Sequence, residues 1–166
     1  TQHFLWISTA LMHGGDGVGM WDEEDGFFYD VLRVPGAKGE RLKVRSMVGL
    51  LPLCAVTVFE GRTLEAHKEI AERLWRFLDS RSELRSFIHD PAKAGQQGRR
   101  LGSVLNEERL RRVLTRMLDE KEFLGPYGIR ALSRYHEEHP YRLRVGNQDY
   151  GVSYLPAESD NGMFGG

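Results

Sequence analysis

Trp21-Asp22-Glu23-Glu24-Asp25 sets an indole beside four consecutive carboxylates, and Gly26 then leads into Phe27, Phe28 and Tyr29. Carboxylates accept hydrogen bonds from hydroxyls, and flat aromatic faces take up the C–H faces of a ring, so the combination suits a carbohydrate. The plainer alternative is an exposed acidic turn followed by a short aromatic strand. Glycoside hydrolysis needs two carboxyls about 5–10 Å apart, one protonated and one ionised. The candidates are Asp22, Glu23, Glu24, Asp25, Glu158 and Asp160. Neighbours in extended chain point to opposite sides, so the first cluster does not easily fill both roles. A pairing of residues 22–25 with Glu158 or Asp160 is the arrangement left open.

Gly125-Pro126-Tyr127-Gly128-Ile129-Arg130 is a second signal. Two glycines and a proline dictate an unusual backbone path that displays Tyr127 and Arg130 on a loop. A ring beside a guanidinium suits a polar, ring-shaped ligand. The alternative is a packed Tyr127 and an Arg130 paired with an acid. His136 and His139 invite a zinc reading, but they stand three apart rather than the four of the metalloprotease helix, with no evident third ligand. Helix-surface histidines are the better reading. The acidic cluster lacks the alternating ligand spacing of a calcium loop. Arg99 and Arg100 follow a Gly- and Gln-rich stretch without the ending of a phosphate-binding P-loop. There is no nucleophile elbow. Neither a metal nor a cofactor is expected.

These side chains need elements to hold them. The 166 residues are one domain's length. A net charge of -1 argues against a basic nucleic-acid surface, and no apolar run approaches the roughly 20 residues that span a bilayer. With no signal-peptide pattern, a cytoplasmic setting is expected. The one cysteine, Cys54, lies in an apolar run and reads as a buried thiol. Apolar spacing predicts helices near residues 3–13, 48–59, 63–79 and 106–118. Thr63 and Asn106 are the expected N-caps, and residues 50–59 are apolar on every side, as in a fully buried helix. Val56 to Phe59 also favour a strand. Short hairpins are expected near 27–45 and 141–154, with one or two helical turns at 133–138. The pattern predicts a mainly α protein, helix packed on helix.

Three stretches together resemble one family: residues 19–31 around Trp21-Asp22-Glu23-Glu24-Asp25, residues 125–133 around Tyr127 and Arg130, and residues 155–166 around Glu158, Ser159 and Asp160. They are similar to bacterial members of glycoside hydrolase family 63, which includes processing α-glucosidase I and mannosylglycerate hydrolase-like enzymes. Residues 42–53 share the likeness. The resemblance implies part of an (α/α)6 barrel and inverting hydrolysis of an α-glycosidic bond in small oligosaccharides or glycosides. It implies sugar-bordering positions for Trp21, Asp22, Tyr127, Arg130 and Glu158. Such barrels are much longer than this chain. Their general acid lies upstream of the Trp-Asp-Glu-Glu-Asp segment and their general base downstream of Met163-Phe164-Gly165-Gly166. The chain, which opens at Thr1, therefore looks like a single internal segment, inactive alone. Its uncovered barrel faces would drive self-association. The alternative is a non-enzymatic helical interaction or carbohydrate-binding module.

Overall fold

The computed structural model describes residues 2–80 and 93–156. The chain divides into two compact units, Thr1–Gly19 with Pro52–Leu110 and Met20–Leu51 with Arg111–Gly166.

In the first unit, α1 (Gln2–Met12) opens the chain. A 3-10 helix (Met47–Cys54) enters the unit at Pro52 and leads into β5 (Val56–Phe59). Helices α2 (Gly61–Ala66) and α3 (Lys68–Asp79) follow, parted at His67 by non-helical backbone. Strand β6 (Arg100–Ser103) returns antiparallel to β5, pairing Val56 with Ser103 and Phe59 with Arg100. Helix α4 (Glu107–Met117) begins here and continues into the second unit. The Asn106 side chain caps it, accepting the Arg109 amide at 2.9 Å.

The second unit is a set of short ribbons around an aromatic core. β1 (Trp21–Asp22) pairs with β2 (Phe27–Phe28), and β3 (Asp30–Leu32) with β4 (Glu40–Leu42). β7 (Leu124–Gly125) pairs with β8 (Gly128–Ile129), and β9 (Tyr141–Val145) with β10 (Gln148–Val152). Between the last two ribbons lies one helical turn, α5 (Tyr135–Glu138). Phe27, Phe28, Tyr29, Val113, Phe123 and Leu132 are fully buried. Phe27 stacks on Phe123 at 5.6 Å and meets Tyr29 edge-on at 5.5 Å, the offset and T-shaped arrangements that ring quadrupoles favour. Gly49 allows this packing. A Cβ there would lie 2.3 Å from the Phe27 ring and 2.4 Å from the Phe28 carbonyl oxygen.

The architecture is not the mainly α barrel segment that apolar spacing and family resemblance predict. It is a mixed fold, with five α-helices among the described residues and five separate two-stranded antiparallel ribbons. The decisive stretch is 47–59. Instead of one buried helix, it forms a 3-10 helix containing Pro52, followed by a strand. Proline removes an amide that an α-helix would use, and the β-branched Val56, Thr57 and Val58 have stiff side chains that suit the pleat. Within the stretch Gly49 and Leu50 are buried, but no residue from 51 to 59 is. Cys54 is exposed, and every residue of β5 faces solvent. Thr63 is not an N-cap either, because α2 starts at Gly61 with no side-chain cap at Glu60. The predicted helices near 3–13 and 106–118 and the hairpin near 141–154 are present. The segment 63–79 is split in two at His67. No helix among the described residues is long and apolar enough to cross a membrane.

Candidate functional site

The acidic segment folds back on itself in the β1–β2 hairpin. Asp22 accepts the Asp25 amide through its side chain at 2.8 Å and the Gly26 amide through its carbonyl at 2.9 Å. Gly26 takes φ +63°, a left-handed conformation that glycine adopts without steric cost. Trp21 is 5% exposed and Asp22 6%. The Trp21 indole donates to Glu23 at 2.6 Å and lies edge-on to Phe28 at 4.9 Å. The ring that the sequence offers to a sugar is thus packed against the core.

Three of the four carboxylates, Asp22, Glu23 and Asp25, have cationic partners, and Glu24 is exposed. Lys43 lies 3.4 Å from Asp22 and 3.1 Å from Asp25, while Arg41 lies 3.6 Å from Asp22. Asp25 also accepts the Arg45 guanidinium at 3.2 Å and the Tyr29 hydroxyl at 3.0 Å. Arg112 donates to the Glu23 carboxylate at 3.0 Å and to the Glu23 carbonyl. Arg116 donates to the Asp25 carbonyl at 2.8 Å. Burial by itself would raise the Asp25 carboxyl. The hydrogen bonds from Lys43 and Tyr29 and the charges of Lys43 and Arg45 outweigh it, holding Asp25 below the usual carboxylate value. Burial pushes the Tyr29 hydroxyl well above its ordinary value, with the Arg45 guanidinium opposing.

Deeper in the unit, Arg45 and Glu122 are both 8% exposed. Glu122 accepts Arg45 at 2.7 Å, Arg116 at 2.6 Å and the Ser133 hydroxyl at 2.6 Å. The Arg45 guanidinium also lies 3.8 Å from the centre of the Tyr135 ring, a cation–π contact. The Arg45 amide donates to His136 Nε2 at 2.8 Å. His136 Nδ1 faces the His139 carbonyl at 2.9 Å, so the neutral ring must carry its proton on Nδ1. Burial lowers the His136 pKa, and the charge of Arg45 lowers it further against the opposing His139 carbonyl. No spacing or motif in the sequence marks Arg45, Arg116, Glu122 and Ser133 as one cluster. The available signal was Arg45 itself, a charge between apolar Val44 and the run 47–55, which requires a buried partner.

Tyr127 and Arg130 separate in role. Tyr127 sits at the tip of the two-residue β7–β8 turn, fully exposed, with no packing as a plug. Through one guanidinium nitrogen, Arg130 donates to the carbonyls of Glu120 at 3.0 Å, Glu122 at 3.2 Å and Leu124 at 2.5 Å. It ties down the turn that presents Tyr127 and, among the described residues, is paired with no acid. Glu158 and Asp160 lie outside the described residues. A cavity of about 400 Å³ opens beside α5, lined by Lys121, Arg134, Tyr135, Glu137, Glu138 and His139. Its lining charges nearly balance, and His139 stacks on Tyr135 at 4.3 Å. Among the described residues no group of three His, Cys, Asp or Glu could hold a metal. The helix-surface reading fails for His136, which is buried and hydrogen-bonded at both ring nitrogens, and holds for the exposed His139.

No protein-family model matches the chain, and no solved structure matches it. Over 178 residues, covering 99% of its length, the chain is 43% identical to Uncharacterized protein YMR196W of Saccharomyces cerevisiae. The match takes in 16% of that protein, so the chain spans about a sixth of the length of the curated relative it matches.

Proposed function

We propose that the chain is a segment of a longer inverting α-glycoside hydrolase that carries a sugar-bordering turn but neither the catalytic acid nor the base. The hydrolase part of this reading rests on the likeness to glycoside hydrolase family 63 over residues 19–31, 42–53, 125–133 and 155–166. The match to a much longer yeast protein supports the segment part. The observation that carries the division of labour is the state of the carboxylates. Asp22 and Asp25 are held by Lys43, Arg41 and Arg45, and Glu122 by Arg45, Arg116 and Ser133. A general acid must keep a proton near neutral pH, which needs an apolar site or a like charge, not a ring of cations. Inverting chemistry also needs a water between its two carboxyls. Buried groups saturated by arginine leave no such place. Tyr127, by contrast, offers both ring faces to a ligand.

A turnover assay tests this reading. The isolated chain should hydrolyse neither α-glucosides nor mannosylglycerate, whereas the full-length yeast relative should hydrolyse one of them. In the yeast protein, alanine at the residue aligned with Tyr127 should raise KM with little change in kcat. Robust hydrolysis by the isolated chain, abolished by Asp22→Asn, Glu158→Gln or Asp160→Asn, would show the acid and base to be here. No hydrolysis by the yeast protein would remove the glycosidase reading.

A further inference from the structure

Among the described residues, strand β5 is an apolar edge with no strand on its outer side. Its inner edge pairs with β6 over Val56, Thr57, Val58 and Phe59, and among the described residues its backbone makes no further ladder bond. Residues alternate across a strand, so Val56 and Val58 share one face while Thr57 and Phe59 share the other. Both faces are open. Val56 is 49% exposed, Val58 53% and Phe59 38%. The four residues hold no charge and no proline, the devices that usually blunt an exposed edge. The other edge of the ribbon is different. There Arg100 bridges to Ala94, and the Gly95 amide donates to the Arg99 carbonyl at 2.8 Å.

We propose that β5 is completed by a third strand from the rest of the longer polypeptide, an apolar, β-branched, uncharged segment that matches Val56, Thr57, Val58 and Phe59. The proposal rests on the reading that this chain is one part of a longer protein. Two arguments favour this occupant. About five-sixths of the yeast relative's length lies outside the match, ample chain to provide a strand. A two-stranded ribbon is also marginal in water, and a third strand adds ladder bonds and flanks the β5 side chains with its own on each face. Main-chain pairing would supply affinity, and the alternating apolar side chains would set the register.

Amide hydrogen exchange provides the test. Exchange is followed at Val56–Phe59 in this chain and at the aligned strand in the whole yeast protein. The expected result is exchange about a hundredfold slower in the whole protein, with the amides of the outer edge gaining most. Lysine at the yeast residue aligned with Val58 should return those amides to fast exchange. In this chain, Val58→Lys should leave its circular dichroism spectrum unchanged. Equal exchange in the two proteins overturns the proposal. So does slow exchange in this chain accompanied by a dimer in sedimentation, because a second copy then covers the edge. The readout does not use activity. Protection without α-glycoside hydrolysis removes the hydrolase reading and leaves this one standing, and hydrolysis without protection does the reverse.

Discussion

Around Arg45, charged groups are buried and aromatic rings are hidden. Along β5, apolar side chains stand in solvent. The first arrangement is closed on itself, because Arg45 meets Asp25, Tyr29, Glu122 and the Tyr135 ring, and each carboxylate there has a cation or hydroxyl beside it. Among the described residues, the second has no strand on its outer edge, and its side chains are exposed on both faces. The contrast shows that sequence polarity is a poor guide to burial in this chain. One member of an acidic run, Asp22, is buried where Arg41 and Lys43 reach it, while an apolar run, β5, is exposed.

If the cluster is closed and structural, removing Glu122 should have the largest effect. Glu122→Ala leaves Arg45 and Arg116 without their shared carboxylate, and breaking a buried pair costs about 3–5 kcal/mol. Urea unfolding followed by near-ultraviolet circular dichroism should show it. A loss below about 1 kcal/mol would mean the cluster is poised for something other than stability. Next in size is Gly49→Ala. Its new methyl would strike the Phe27 ring and the Phe28 carbonyl, and overpacking of this kind costs about 1–3 kcal/mol. A neutral outcome in the same assay would show that the aromatic core yields easily.

A smaller effect should appear with pH. His136 is held neutral, so its folded pKa lies below the unfolded value of about 6.5. The unfolded chain then binds more protons between those two values, and stability falls as pH drops below about 6.5. His136→Gln should flatten that part of the urea-midpoint profile. Asp25 is also depressed, so it adds stability that is present above about 3.9 and is lost as pH falls through its folded value. A wild-type profile flat from pH 7.5 to 5 would contradict the burial of His136. The smallest effects belong to exposed positions. Val58→Lys and Tyr127→Ala should each change the stability of this chain by no more than about 0.5 kcal/mol. A larger loss at Val58 would show that β5 is covered within this chain and end the comparison.

Local chemistry carried a good deal of this structure. Asn106 followed by Glu107 and Glu108 specifies the start of α4, because a side-chain oxygen and two acids suit the unpaired amides of a helix N-terminus. Gly146-Asn147 specifies the β9–β10 hairpin, with Gly146 at φ +60°. The exposed turn bearing Tyr127 was legible from its glycines and proline. Tertiary structure decided the rest. Whether Trp21 and Asp22 face a ligand or the core depends on Phe28, Lys43 and Arg41, whose approach no local pattern records. The buried charge at Arg45 announced a need for partners, but Glu122 and His136 lie 77 and 91 residues away. At 47–59, apolarity indicated burial while β-branching indicated a strand. Periodicity cannot arbitrate between them, because a residue's exposure depends on which other parts of the chain come to lie against it.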